Sequence, residues 1–160
     1  MFTEDFPLFV LDSLRSAFNA GSVFRTAESI SPCGVVICGI TARPGGRKVG
    51  RTSRGTHATV PWRWFEDVVE AVSLVSESRT VVALENTGDS VPLHLARFPV
   101  NSAFVLGNEA DGVSPDALAM SHMKVMIPQT GLRRCINVSS AAAMLAWEIQ
   151  RRRQTGEYLG

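Results

Sequence analysis

Two segments in the last third of the chain combine glycines with polar side chains directly after short apolar runs. Ala103–Leu106 leads into Gly-Asn-Glu-Ala-Asp-Gly at 107–112, and Val125–Ile127 leads through Pro128 into a loop over 129–135. Open α/β sheets bind ligands at the carboxyl ends of their strands. Backbone groups, glycines and a few polar side chains beside apolar walls suit an amphipathic small cofactor. We therefore predict a cofactor site between these two loops.

A third polar segment lies near the start of the chain, from Asn19 through Gly21 and Ser22 to Arg25. The apolar spacing predicts a helix over 22–30, capped by Asn19 or Ser22, with Arg25 in its first turn. A cation is unfavourable there because of the helix dipole, so its presence suggests a function. The alternative is an Arg25–Glu28 ion pair, worth about 0.3 kcal/mol.

The elements that must position these residues alternate along the chain. Apolar patterns predict strands over 9–11, 34–40, 80–84, 103–106 and 125–127, and helices over 22–30, 65–75, 92–97, 114–119 and 139–154. The segment 41–55, with Pro44 and four glycines, is predicted to be a loop. The uninterrupted apolar run 141–147 is expected to be buried on all sides of its helix. The alternation predicts an α/β fold, a mostly parallel sheet with helices on both faces.

Length and composition limit the class of protein. A chain of 160 residues with 45% apolar content is expected to form one domain over 1–160. No apolar run is long enough to cross a membrane, and no secretory signal opens the sequence. Three cysteines, Cys33, Cys38 and Cys135, are too few for a disulfide framework, so we expect reduced thiols and a cytoplasmic location.

The charge is distributed unevenly although the net charge is only +1. No acidic residue lies between Glu28 and Glu66, whereas that stretch contains several basic ones: Arg43, Arg47, Lys48, Arg51, Arg54 and Arg63. Arginine is suited to phosphate contacts and to stacking on bases. The pattern favours a nucleic-acid partner, and the alternative is a solvated basic loop.

Other common sites are not supported by the residues. No glycine-rich dinucleotide motif follows a strand, and His57, His94 and His122 are not at metal-ligand spacing, so we predict no metal. Cys135 precedes a predicted helix, where a thiolate nucleophile would be stabilised. Its loop contains no histidine and Ile136 follows it, which favours a packed thiol.

Taken together, the three polar segments resemble the motifs of the SpoU (TrmH) family of RNA ribose 2′-O-methyltransferases, in the SPOUT superfamily. The first motif is similar to residues 19–27, the second to 104–113, and the third to 127–148. The likeness extends over about residues 11–152. Three motifs in the same order are more specific than any one of them.

The resemblance implies a fold with a C-terminal trefoil knot, a homodimer and S-adenosylmethionine as cofactor. The implied cofactor-binding residues are Leu84, Gly107, Ile127, Cys135 and Ile136. The implied catalytic residues are Asn19, Arg25, Glu109 and Asn137. The implied substrate is RNA, with transfer RNA favoured over ribosomal RNA.

Two departures from the family pattern leave alternatives open. The family usually has serine where this chain has Cys135, so a weakly active or inactive RNA-binding member is one alternative, and a cysteine-dependent hydrolase is another. We also expect no separate RNA-binding domain. RNA capture would then rest on Arg25 and the basic segment, with Arg43, Arg47, Lys48, Arg51 and Arg54.

Overall fold

The computed structural model describes residues 6–30, 33–99, 101–132 and 135–157. Within these ranges a seven-stranded sheet has the order β3-β2-β1-β6-β4-β7-β5, and each pair of neighbouring strands is parallel. The strands are β1 (Leu8–Asp12), β2 (Gly34–Cys38), β3 (Trp62–Phe65), β4 (Val81–Leu84), β5 (Val91–Pro92), β6 (Ala103–Leu106) and β7 (Met123–Met126). The predicted α/β class and parallel sheet are confirmed.

The helices cover both faces of the sheet, as the sequence predicted. They are α1 (Ala17–Ser29), α2 (Arg47–Ser53), α3 (Val68–Ser76), α4 (Pro115–Met120) and α5 (Val138–Thr155), with a 3-10 helix at Thr56–Ala58. Helices α1 and α5 share one buried apolar cluster with one face of the sheet, and α3 and α4 share a second cluster with the other face. No helix in the described ranges is long and apolar enough to span a bilayer.

The central strands are apolar without alternation because both of their faces are buried. In β1, Phe9 and Leu11 enter the cluster under α1 and α5, whereas Leu8 and Val10 enter the cluster under α3 and α4. These four side chains are at most 1% exposed. The sheet is therefore a rigid support for the loops at its carboxyl edge.

Helix α1 begins at Ala17, before the predicted start at Ser22. Ser16 is its N-cap, and the Ser16 Oγ accepts a hydrogen bond from the Asn19 N–H at 3.3 Å. The predicted caps Asn19 and Ser22 are therefore wrong. Arg25 lies in the helix interior, so its predicted position in the first turn and the conflict with the helix dipole there are wrong as well.

Most of the basic segment is helical, where a loop was predicted. Helix α2 buries Val49 and Ser53 and packs against α1. The contact is close because α1 has Gly21, where a Cβ atom would come within 2.7 Å of the Thr52 Cβ. Tertiary packing thus outweighs the helix-breaking tendency of the local glycines.

The predicted helix over 92–97 is also wrong. Val91–Pro92 forms the short edge strand β5, and the segment after it is held by the buried Arg152 of α5. The Arg152 guanidinium donates to the Leu93 and Ala96 carbonyl oxygens at 2.7 and 2.8 Å. These carbonyls therefore bond across the fold and not along a helix.

The apolar run in α5 is not buried on all sides. Met144 is 46% exposed and Trp147 is 60% exposed, whereas Leu145 and Ala146 are fully buried. On the neighbouring helix α1, Phe18 is 65% exposed. Helices α1 and α5 pack on each other, so the fold leaves large apolar side chains of both helices facing outward.

Candidate functional site

A cavity of about 520 Å³ lies at the carboxyl edge of the sheet, where the segments after β4, β6 and β7 meet the start of α5. This volume is within the range of small-molecule sites. All of the predicted cofactor-binding residues line it: Leu84, Gly107, Ile127, Cys135 and Ile136. The structure thus brings together around one cavity residues that lie far apart in the chain. Arg133 and Arg134, in the predicted loop 129–135, lie outside the described residues.

The segment 107–112 forms a closed turn on one side of the cavity. The backbone N–H groups of Asn108 and Gly112 donate to each other's carbonyl oxygens at 3.0 and 3.1 Å. The Asn108 Oδ1 accepts from the Ala110 and Asp111 N–H groups, each at 2.9 Å. A Cβ at Gly107 would lie 1.9 Å from the Gly112 carbonyl carbon. Glycine at 107 is therefore required for the turn to close.

Glu85 is a cavity residue that our reading of the sequence missed. Its Oε2 accepts from the Val113 N–H at 3.0 Å, and its Oε1 accepts from the Asn86 N–H at 2.8 Å. The carboxylate thus ties the end of β4 to the turn that follows β6. The available signal was its position: a polar residue directly after a buried strand, at the sheet edge where the two predicted loops lie.

Glu109 holds the start of α1 against the cavity. Its carboxylate accepts from the Arg15 N–H at 2.9 Å, the Ser16 N–H at 3.2 Å and the Asn19 Nδ2 at 2.6 Å. Desolvation is the largest single influence on the Glu109 pKa and raises it, but the hydrogen bonds from Asn19, Arg15 and Ser16 together lower the pKa below its usual value. Glu109 is therefore an anion that anchors the first predicted motif to the second.

Asn137 extends this network to the third motif. Its Nδ2 donates to the Asn19 Oδ1 at 3.2 Å, and its Oδ1 accepts from the Ser139 N–H at 2.9 Å as the N-cap of α5. Glu109 and Asn137 line the cavity, whereas Asn19 is buried between them. Three of the four predicted catalytic residues thus form one chain of hydrogen bonds.

Arg25, the fourth predicted catalytic residue, lies apart from this network. It is exposed on α1, about 9 Å along the helix axis from Asn19. Among the described residues Arg25 forms no hydrogen bond or ion pair, so the alternative pair with Glu28 is not formed. Its guanidinium is free to meet a partner from solvent.

The Cys135 thiol is exposed and lines the cavity, so the expectation of a packed thiol is wrong. Cys33 and Cys38 are buried, and burial raises the pKa of the Cys38 thiol. No histidine is among the described residues that line the cavity. In the described part of the chain, no three His, Cys, Asp or Glu side chains are grouped to hold a metal ion.

The predicted RNA-binding residues lie outside the cavity, near α1. Arg47, Lys48 and Arg51 are exposed on α2, and Arg54 is exposed directly after it. Arg43 is also exposed, and its guanidinium carbon lies 3.6 Å from the centre of the Trp64 ring. The structure therefore groups these cations with one helix and one edge strand.

Comparison with known proteins places the same segments in one family. Residues 7–147 match the model described as the SpoU rRNA Methylase family. The tRNA (guanosine(18)-2′-O)-methyltransferase of Thermus thermophilus is 30% identical over 146 residues, which cover 90% of this chain and 74% of that protein. The protein of the same activity from Mus musculus is 37% identical over 81 residues, 51% of this chain and 5% of its own length.

A solved structure gives the same fold. The SpoU methyltransferase AviRb from Streptomyces viridochromogenes, in complex with the cofactor AdoMet, superposes with a TM-score of 0.88 at 25% identity. The match covers 97% of this chain and 63% of the AviRb chain. The chain therefore spans less than two thirds of AviRb and a small part of the mouse protein.

Proposed function

Because the chain belongs to the SpoU rRNA methylase family, we propose that it transfers a methyl group from S-adenosylmethionine to a ribose 2′-hydroxyl of RNA. The observation that carries this proposal is the cavity at the sheet edge, whose wall includes Glu109 and Asn137 of the hydrogen-bonded network. The network joins the three motifs around the place where cofactor and ribose would meet.

The residues around the cavity fit S-adenosylmethionine. Leu84, Ile127 and Ile136 offer apolar walls for the adenine, and carboxylates at Glu85 and Glu109 suit a ligand with positive charge. When bound, the cofactor supplies a methyl group on a positively charged sulfur. The chain must align the ribose oxygen with that methyl group, because methyl transfer is an in-line displacement.

Arg25 is proposed to bind the RNA and to stabilise negative charge that develops on the ribose 2′ oxygen. A guanidinium is always protonated in proteins, so Arg25 is not the base, and the proton passes to water or to a neighbouring phosphate. Asn19 and Asn137 position the backbone around the ribose. Glu109 holds the start of α1 and does not bind Arg25, since its carboxylate oxygens accept from Arg15, Ser16 and Asn19.

The knot implied by the family is part of this proposal. Two contacts support the knot: the Glu85 carboxylate accepts a hydrogen bond from the Val113 N–H at 3.0 Å, and α5 packs on α1. Both contacts join segments that lie far apart in the chain. A crystal structure traced through residues 84–138 should show a trefoil, and an open path of the chain would contradict the proposal.

A homodimer is proposed to form through the exposed apolar side chains of Phe18, Met144 and Trp147. Large exposed apolar side chains on two packed helices are typical of a protein interface. Replacing Trp147 with Asp should shift sedimentation from a dimer to a monomer. A wild-type chain that sediments as a monomer would contradict the proposal.

The RNA substrate is proposed to be a transfer RNA, as the names of the curated relatives suggest. The protein is also proposed to act in the cytoplasm with its cysteines reduced. We also propose that one domain provides both the cavity and the RNA contacts. Methyl transfer from labelled S-adenosylmethionine to purified transfer and ribosomal RNA, followed by nucleoside mass spectrometry, tests this assignment. RNA binding without any methylated nucleoside would favour the inactive alternative.

Cys135 separates the remaining alternatives. Because a hydroxyl is a stronger hydrogen-bond donor than a thiol, Cys135→Ser should raise the methylation rate if this side chain orients the ribose. An unchanged rate would mean that the side chain only packs against the cofactor. Methylation that persists in Cys135→Ala would dismiss the cysteine-dependent hydrolase.

A further inference from the structure

The indole of Trp64 on the edge strand β3 lies beneath the guanidinium of Arg43. The Arg43 guanidinium carbon lies 3.6 Å from the centre of the Trp64 ring, and the Trp64 Nε1 donates to the Gly39 carbonyl oxygen at 3.3 Å. This hydrogen bond and the partial burial of Trp64 fix the ring. Arg43 is exposed, so a partner can approach its side chain from solvent.

The stack lies on the same face of the sheet as α1. Trp62 and Trp64 pair with Val35 and Ile37 of β2, which point into the cluster beneath α1 and α5. Trp62 is 39% exposed and lies about 7 Å from Trp64 along the strand. The two indoles thus form a strip on the outer edge of the sheet.

The charge and chemistry of this strip select its partner. Trp64 carries the Arg43 cation and helix α2 presents the exposed Arg47, Lys48 and Arg51, so both attract polyanions. Unpaired RNA bases stack on aromatic rings and on arginine planes, whereas bases in the interior of a duplex offer no free face to a side chain. An unpaired stretch of RNA fits both properties.

We propose that Arg43, backed by Trp64, is a stacking platform for an unpaired base of the RNA substrate, and that Trp62 extends the platform. This inference rests on the proposed function. In the sheet order, β3 is three strand spacings from β6, which is about 14 Å. Trp64 pairs near the carboxyl end of β2, the edge where the cavity lies. The platform therefore holds a base near the methylated nucleotide and not that nucleotide itself.

Arg43→Lys is the sharpest test, because it keeps the charge and removes the planar group. We expect the affinity of Arg43→Lys for a hairpin RNA with an unpaired loop to fall about tenfold, as for the loss of one stacked base. The dependence of affinity on salt should be unchanged, because the number of cations near the phosphates is unchanged. With a blunt duplex of equal length, the variant and the wild-type protein should bind alike.

Arg63→Lys is the matched control. The Arg63 guanidinium also stacks on an aromatic ring, that of Phe65 at 4.7 Å, but Phe65 packs into the cluster beneath α3 on the opposite face. The affinity of the Arg63→Lys variant for the hairpin should equal that of the wild-type protein. Equal losses in the two variants would show a general effect of replacing arginine and would overturn the platform.

The platform would be rejected most directly if Arg43→Lys bound the hairpin with wild-type affinity, while Arg43→Ala bound it more weakly and with a smaller dependence on salt. Arg43 would then be a simple phosphate contact. Trp64→Leu should weaken hairpin binding about as much as Arg43→Lys, provided that its circular dichroism spectrum is native. Because Trp64 is partly buried, Arg43→Lys decides the question if Trp64→Leu does not fold.

The platform and the proposed function fail in different ways. Wild-type protein that methylates RNA while Arg43→Lys binds the hairpin normally would reject only the platform. Wild-type protein that binds the hairpin through Arg43 without methyl transfer would reject only the enzymatic proposal.

Discussion

The Asn137 Nδ2 donates a hydrogen bond to the Asn19 Oδ1 at 3.2 Å, across 118 residues of the chain. Asn19 in turn donates to the Glu109 carboxylate at 2.6 Å. The two bonds join the start of α1, the turn after β6 and the N-cap of α5. Asn19 is buried, whereas Glu109 and Asn137 are exposed, so loss of either outer partner leaves a buried polar atom of Asn19 without its hydrogen bond.

The asparagine pair predicts an energetic coupling. Asn19→Ala should lower the free energy of unfolding by about 2 kcal/mol, because its buried side chain loses two hydrogen bonds. Asn137→Ala should lower it by about 1 kcal/mol, because its exposed side chain loses one of these bonds and the cap of α5. The double variant should cost at least 0.5 kcal/mol less than the sum. Urea denaturation measures all three, with the exposed Gln154→Ala as control. Strict additivity would show that the bond contributes nothing.

The turn after β6 predicts an unusually sensitive glycine. In Gly107→Ala the added Cβ would overlap the backbone of Gly112, which cannot move aside like a flexible side chain. We expect loss of cofactor binding by calorimetry and a fall in stability of about 3 kcal/mol. Gly131→Ala is the matched control, because nothing lies within 4 Å of the added Cβ. Equal behaviour of the two variants would refute the importance of the close approach.

Much of the sheet was predictable because burial on both faces leaves a simple signature in the sequence. The strands β1, β2, β4, β6 and β7 are each contained in or overlap an apolar run. The edge strands β3 and β5 were missed, since β3 has exposed residues and β5 has only two residues. Their existence depends on neighbouring strands and not on their own composition.

The candidate site was predictable as a set of positions but not as a geometry. The cavity-lining residues follow from the rule that ligands lie at strand carboxyl ends, together with the family motifs. Glu109, which accepts a hydrogen bond from Asn19, is 90 residues away in the chain. The close packing of α2 on α1 depends on Gly21 of α1. Such contacts are decided by tertiary packing, which local sequence patterns do not encode.

The carboxyl-terminal helix predicts acid sensitivity. The Glu148 pKa is lowered from a usual 4.5 to about 2, chiefly by the hydrogen bond from Arg151. Desolvation opposes this shift and raises the pKa, whereas Arg152 also lowers it. A carboxyl whose folded pKa is lowered stabilises the fold above its unfolded pKa, and this contribution disappears as pH falls from about 4.5 towards about 2. Glu148→Gln should therefore be about 1 to 2 kcal/mol less stable at pH 7, and nearly equal to wild type near pH 2. Thermal unfolding across this range, with exposed Glu77→Gln as control, measures the difference, and a constant gap at all pH values would contradict the assignment.

Arg25 is the residue whose proposed role depends most on a partner from outside the chain. Because it is exposed and does not line the cavity, Arg25→Ala should leave S-adenosylmethionine affinity within about twofold, while methyl transfer at saturating RNA falls by about 10² to 10³. Arg25→Lys should recover only part of the rate, because a single ammonium cannot replace the guanidinium fork. Calorimetry and single-turnover methylation measure the two quantities, with the exposed Arg97→Ala as control. Parallel loss of cofactor binding and methylation would show instead that Arg25 maintains the structure of α1.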